Sequence, residues 1–165
     1  MRIQVTHLLL SALPLLVSCA LQPIALAPVG PHPAAGAQFL PASGEGRLQV
    51  FTETDETEVD EDVPFYPHRD YEIYTADGKR FRRVWNHQNR EDGTPALVTL
   101  PAGEYLVKGA AELYGQVTVP VVVRPGQTTR VVLQPGWKPS GEVASSDLVR
   151  MPDGYPIGWR AELSR

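Results

Sequence analysis

The sequence predicts an all-β fold, a single antiparallel β-sandwich of about seven strands with a C-terminal hairpin extension. Short runs rich in Val, Thr and Tyr recur between residues 47 and 133, as in 116–123 (QVTVPVVV). Turn signals built from Gly, Pro and Asp separate these runs at the spacing typical of sandwiches. No apolar repeat of useful length has the period of a helix.

The first predicted strands follow one another in hairpins. Residues 47–52 (RLQVFT) form the first strand. The runs 70–75 and 80–85 flank Asp77-Gly78, a dipeptide that tolerates the positive φ of a tight hairpin turn. The runs 96–100 and 104–110 flank a second tight turn, Pro101-Ala102-Gly103.

The last two strands of the predicted sandwich are 116–123 and 128–133, and Gly126 closes the hairpin between them. Alternation along the first of these strands places four side chains on one face: Val117, Val119, Val121 and Val123. Pro120 in the same strand has no N–H to donate, so this strand is predicted to be a sheet edge or to be locally broken.

Residues 136–165 form an extension that is expected to pack on the sandwich. Pro152-Asp153-Gly154 predicts a turn within it. The apolar content of this segment favours a cover over the Pro120 strand rather than a free tail. Its aromatic residues form the candidate interaction surface: Trp137, Tyr155 and Trp159.

Residues 100–133 contain Leu-Pro-x-Gly-x-Tyr, a strand of small residues, a run of valines and Gly-x-Thr before a last apolar strand. This stretch resembles the last half of transthyretin-like sandwich modules, which include carboxypeptidase regulatory-like domains and PEGA-type repeats. The matching residues are Leu100, Pro101, Gly103, Tyr105, Val107, Gly126, Thr128 and Val131. The resemblance implies a transthyretin-like or immunoglobulin-like sandwich and indicates almost nothing about function.

A signal peptide is predicted over residues 1–18. Arg2 precedes an apolar stretch that is too short to span a bilayer but has the length of a signal-peptide core. The stretch ends in Leu16-Val17-Ser18-Cys19, which resembles a bacterial lipobox. The resemblance implies that the Cys19 thiol receives a diacylglycerol and becomes the first residue of the mature protein. Burial of each acyl CH₂ contributes roughly 0.8 kcal/mol, so two or three chains anchor a protein stably.

An alternative cleavage site is Ala25-Leu26-Ala27, the A-x-A pattern of an ordinary signal peptidase. Cleavage there would discard Cys19 and give a secreted or periplasmic soluble protein. The lipobox is favoured because it directly follows the apolar stretch, whereas Ala27 lies beyond Pro23. Under both alternatives the protein is exported. Since Cys19 is the only cysteine, no disulfide joins two parts of the chain and a hydrophobic core must hold the fold.

Residues 19–45 are predicted to be the lipidated cysteine and a disordered, Pro/Ala-rich tether, followed by the sandwich domain over 46–135. At about 3.1 Å per residue, such a tether would hold the domain several nanometres from the membrane. Ala20 in place of aspartate after the cysteine favours the outer membrane, by resemblance to lipoproteins of two-membrane bacteria. The net charge of −4 argues against a nucleic-acid partner.

Two charged clusters have plain alternatives to a binding role. The acidic run 53–62 lacks the ligand order and central glycine of a calcium-binding EF-hand loop, so a solvated loop is favoured over a calcium site. A basic cluster follows the first hairpin turn and could bind phosphate or acidic lipid. Neutralisation by the acidic run is favoured instead. The cluster consists of Lys79, Arg80, Arg82, Arg83 and Arg90.

No metal site, cofactor or catalytic residue is predicted. His68 and His87 with Asp70 are the best candidate ligands for zinc or copper, but their spacing does not indicate ligation. They are expected to be exposed loop residues. No Gly-x-Ser-x-Gly motif is present in the sequence.

The predicted function is that of a non-catalytic, lipid-anchored module of the cell envelope with a structural or protein-interaction role. The alternative is a carbohydrate-binding module, because exposed aromatic residues stack on sugar rings, although core packing is expected to use most of them. Aromatic residues aligned in a groove would favour a glycan, and an open valine-rich edge would favour a protein partner. The aromatic candidates are Phe65, Tyr66, Tyr71, Tyr74, Trp85, Trp137 and Trp159.

Overall fold

The computed structural model of the chain describes residues 24–33, 36, 44–55, 66–86, 93–139 and 143–161. Within these ranges the backbone forms ten strands and one 3₁₀ turn, Ser145–Asp147. The strands are β1 (Val29–Gly30), β2 (Glu45–Phe51), β3 (Tyr71–Thr75), β4 (Arg80–Val84), β5 (Leu97–Pro101), β6 (Gly103–Ala111), β7 (Gly115–Val123), β8 (Thr128–Val132), β9 (Leu148–Arg150) and β10 (Pro156–Arg160). None of the described residues forms a helix long and apolar enough to cross a membrane.

The strands form two sheets that share one hydrophobic core. The larger sheet has the order β4-β3-β6-β7-β1-β10-β9, and the smaller has the order β5-β2-β8. Alternate residues of both sheets, such as Val107 and Val119 in one and Leu48 and Val50 in the other, are fully buried. The predicted all-β sandwich is therefore confirmed.

The sheets are mixed rather than purely antiparallel. Strand β2 runs parallel to β8 over five pairs, from Arg47↔Thr128 to Phe51↔Val132. Strand β1 is parallel to β7 at Val29↔Val121. Turn sequences specify connections between consecutive strands, whereas these pairs join segments far apart in the chain. The alternating pattern of a strand does not specify such a partner.

Two turns that were predicted to close hairpins instead connect a strand of one sheet to a strand of the other, and we call them corners. The turn Pro101-Ala102-Gly103 joins β5 in the smaller sheet to β6 in the larger, and the turn closed by Gly126 joins β7 to β8 across the same gap. The Tyr105 hydroxyl donates to the Pro101 carbonyl at 2.9 Å and holds the first corner. The turn residues were identified correctly, but a turn does not determine whether its two strands pair. Asp77-Gly78 does close a hairpin, β3–β4, with Gly78 at φ +83°.

The prediction that the Pro120 strand is a sheet edge is wrong. This strand, β7, lies between β6 and β1, and Pro120 pairs in register with Leu106. Strand β1 is only two residues long and pairs with β7 at a single position. A proline is tolerated in β7 because β1, its neighbour on one side, pairs with it at only one position and so requires few ladder hydrogen bonds.

The segment that supplies β1 was predicted to be tether. Val29 is fully buried in the core, and Ile24, Leu26 and Ala27 pack against it. The Ala161 N–H donates to the Pro28 carbonyl at 2.8 Å. The predicted start of the domain near Gly46 is therefore too late, since residues 24–31 already contribute to the sandwich. Cys19 lies outside the described residues.

The C-terminal extension adds two strands to the larger sheet. Strands β9 and β10 pair antiparallel through a turn that contains Gly154 at φ +100°. Strand β10 then pairs with β1, so the extension reaches the sandwich through the N-terminal segment. We call β1, β10 and β9 together the seam. The seam is closely packed, because a Cβ on Gly158 would lie 2.5 Å from Val29 Cγ1.

Candidate functional site

The three residues of the predicted interaction surface do not lie together. Trp137 and Trp159 form a perpendicular pair with ring centroids 6.4 Å apart, and the His32 ring lies 4.3 Å from that of Trp159. Tyr155 instead contacts Tyr114, with ring centroids 6.2 Å apart. Only the two tryptophans therefore belong to one surface.

Tyr155 has a structural role at the seam. Its hydroxyl donates to the Glu112 carbonyl at 3.3 Å and joins the β9–β10 turn to the β6–β7 turn. Burial, with Asp153 nearby, raises the pKa of Tyr155 to about 12. The hydroxyl therefore stays protonated and able to donate at neutral pH.

A groove of about 510 Å³ runs beside the tryptophan pair, and we call it the Trp137 groove. Its lining includes Gln49, Thr128, Arg130, Trp137, Lys138 and Trp159. Trp159 is only 8% exposed, so it forms a wall, whereas Trp137 is partly exposed. A second depression of about 440 Å³, the Arg150 depression, shares Trp137, Lys138 and Pro139 with the groove and adds Arg150.

The guanidinium of Arg130 is oriented by two neighbouring side chains, Gln49 and Phe51. The Gln49 side chain is buried, and its Nε2 donates to the Pro95 carbonyl at 3.3 Å. This bond leaves Gln49 Oε1 to accept from Arg130 Nη2 at 3.4 Å. The guanidinium also lies over the Phe51 ring, 5.4 Å from its centroid. Two neighbours thus orient one cation at the groove.

A buried polar cluster at the other end of the larger sheet has a structural role. Asn86 Nδ2 donates to the Val50 carbonyl at 2.9 Å and to Thr52 Oγ1 at 3.2 Å, and Asn86 Oδ1 accepts from the Ala96 N–H at 3.1 Å. His68 Nδ1 lies 2.6 Å from the Thr52 carbonyl, to which it donates. Sequence reasoning missed Asn86, because a lone asparagine in a predicted loop carries no signal of burial.

The structure places His68 in this cluster rather than in an exposed loop. The residue is 7% exposed, and burial lowers the pKa of its imidazole despite the bond to Thr52. His87, its predicted companion, lies outside the described residues. Across the ranges that the structure describes, no three potential metal ligands come together.

Within the described residues, two arginines of the basic cluster pair with acids outside the acidic run 53–62. Arg80 pairs with Glu72 at 3.4 Å and Arg83 pairs with Asp70 at 3.2 Å, so the partners lie on or beside β3. The acidic run instead uses Arg69, which pairs with Glu53 and Asp55. Residues 56–62 and Arg90 lie outside the described ranges.

The aromatic residues around the first hairpin do not form one platform. Tyr71 is buried in the core, and the Tyr74 hydroxyl donates to Glu72 at 2.6 Å. Trp85 is 54% exposed with the Arg83 guanidinium 4.5 Å from its ring centroid. Phe65 lies outside the described residues. The Trp137 groove therefore carries the aromatic residues that best fit a ligand surface.

Comparison of the chain with protein-family models, with curated proteins and with solved structures gave no match.

Proposed function

We propose that this protein is a non-catalytic, lipid-anchored module of the cell envelope, held at the outer membrane by Cys19 and carrying an interaction surface on its sandwich. The observation that carries the proposal is the packing of Ile24, Leu26 and Ala27 against the core. Cleavage after Ala27 would remove these side chains from the domain they help to cover. Cleavage before Cys19 keeps them, which favours the lipobox.

The polar interior supports a structural rather than a chemical role for the domain. His68 and Asn86 are the side chains with the most obvious chemical potential, and both bond to backbone carbonyls. Each bond satisfies a main-chain group that would otherwise be costly to bury. These bonds join separate segments of the backbone.

The anchor is tested by the mass of the N-terminal peptide of protein purified from membranes. We expect Cys19 at the N-terminus with a diacylglycerol, and a Cys19→Ala variant that leaves the membrane fraction. The matched control is Ala25→Arg, which blocks the A-x-A site at an exposed position. It should leave both the mass shift and the fractionation pattern unchanged. An unmodified N-terminus at Pro28 would overturn the proposal.

A carbohydrate-binding role is the second candidate, and the Trp137 groove favours it. Trp137 is partly exposed, Trp159 packs against it at nearly a right angle, and His32 packs against Trp159. A sugar ring presents C–H groups to an aromatic face and hydroxyls to polar neighbours, and this groove offers both kinds of contact.

A further inference from the structure

We infer that the Trp137 groove binds an acidic oligosaccharide, with a sugar ring against Trp137 and the carboxylate or phosphate group of that sugar on Arg130 and Lys138. The inference rests on the carbohydrate-binding candidate above and names its ligand class. It does not depend on whether Cys19 carries lipid.

The charge of the groove differs in sign from that of the protein. The chain has a net charge of −4, yet the described lining of the groove and of the Arg150 depression contains three cations, Arg130, Lys138 and Arg150, and no carboxylate. Opposite charge on a ligand lowers the cost of removing these cations from water. These three cations therefore favour an anionic ligand at this surface.

The hydrogen-bonding groups of the groove point to the same class. Arg130 and Lys138 only donate, and the acceptor atom of Gln49 already receives a bond from Arg130. A sugar hydroxyl uses these two cations only through its acceptor lone pairs. A carboxylate or phosphate accepts only and fits a fork of N–H donors.

Arg130 is oriented before any ligand arrives. Two hydrogen bonds in series hold the Arg130 guanidinium. It donates to the side chain of Gln49, which is buried and in turn donates to the Pro95 backbone carbonyl. Contact with Phe51 holds the plane of the guanidinium. An oriented side chain loses less conformational entropy on binding, so this arrangement favours a specific contact over a diffuse attraction.

The aromatic geometry favours a saccharide over an acidic peptide. Trp159 meets Trp137 at an interplanar angle of 85°, so it supports Trp137 without extending its flat face. One supported aromatic face beside two cations matches one sugar ring that bears one anionic group. The groove volume of about 510 Å³ is in the range of small-ligand sites.

The test is a calorimetric titration of the full chain with tri-galacturonate, its methyl ester, a phosphorylated hexose and a poly-glutamate peptide. We expect binding of an acidic saccharide that weakens as salt rises, and much weaker binding of the uncharged ester. The carboxylated and phosphorylated probes show which anion the groove prefers. Arg130→Gln and Lys138→Gln should each weaken binding about tenfold, the loss of one charge-assisted contact.

The matched control is Arg82→Gln, which removes one charge from β4 at the opposite end of the larger sheet and should not change the affinity. Trp137→Phe should keep part of the affinity and Trp137→Ala should lose it, with thermal unfolding measured for both. The inference is overturned by three results. These are no binding of either acidic sugar, equal binding by Arg130→Gln and Arg82→Gln, or poly-glutamate binding as tightly without need of Trp137, which would indicate an acidic protein partner. Loss of the lipid anchor would leave every one of these measurements unchanged.

Discussion

The two ends of the seven-stranded sheet are built differently. One end, the hairpin side, consists of β3, β4 and the segment 66–70. There consecutive strands pair, Arg80 pairs with Glu72 on β3, and Arg83 pairs with Asp70 just before β3. The other end is the seam, in which Val29 and Gly30 pair with Arg160 and Trp159 from a distant part of the chain. The hairpin side places its charges in ion pairs, whereas the groove next to the seam collects cations without described carboxylates.

This contrast indicates where a binding function would arise. A local hairpin supplies partners for its own side chains, because strands joined by a tight turn carry their cross-strand pairs with them. His32, Arg130 and Trp159 come from distant parts of the chain, and the tertiary fold brings them together along one groove. The structure therefore makes the seam and its groove the part of the molecule to perturb first.

The largest expected effect is a difference in the free energy of unfolding between variants at the two ends of the larger sheet. Val29→Asp places a carboxylate at a fully buried position of β1, and we expect a loss of about 4 kcal/mol in the free energy of unfolding. Phe81→Asp makes the same kind of change on exposed β4 and should cost about 1 kcal/mol or less. Urea denaturation of both variants measures the difference. If Val29→Asp is as mild as Phe81→Asp, the N-terminal segment does not belong to the core.

An intermediate effect concerns pH and the hairpin side. Burial lowers the pKa of His68, so the unfolded chain takes up a proton at a higher pH than the folded chain does. The contribution of neutral His68 to stability is therefore complete above the unfolded pKa of about 6.5 and is lost as the pH falls below it.

This effect is measured by hydrogen exchange between pH 7.5 and pH 5. Amides near Thr52 and Arg69 should lose protection before those of the seam do. In His68→Asn, which can keep the bond to the Thr52 carbonyl without a titrating group, the difference should disappear. Equal loss of protection at both ends in the wild type would contradict the prediction.

The smallest expected effect is a slight gain in stability. The Tyr71 hydroxyl is the one buried side-chain polar atom that lacks a hydrogen-bond partner among the described residues. Tyr71→Phe should therefore raise the free energy of unfolding by up to about 1 kcal/mol, because it removes an unpaired polar atom. Tyr105→Phe is the matched control and should lower it, since the bond to the Pro101 carbonyl is lost. A Tyr71→Phe variant that loses more stability than Tyr105→Phe would show that the Tyr71 hydroxyl has a partner after all.

Local signals in the sequence predicted much of the fold and little of the site. Asp77-Gly78 and the alternating valines of β7 depend on neighbours within a few residues, and both were identified. The pairing of Val29 with Arg160 spans 131 positions, and the bond from Asn86 to the Val50 carbonyl spans 36. No propensity or turn rule encodes such contacts. Trp137 and Trp159 were selected for residue type alone, and the cation that completes their groove, Arg130, was not selected at all.

The packing of residues 24–30 on the sandwich also limits how far Cys19 can lie from the folded domain. Only residues 20–23 separate Cys19 from Ile24, and a fully extended chain spans at most about 3.6 Å per residue. With lipid on Cys19, the folded domain would be held within about 2 nm of the lipid headgroups, rather than several nanometres above them. A domain on so short a tether can reach only a small volume around its anchor. A protein anchored in this way would reach only partners that lie close to the membrane surface.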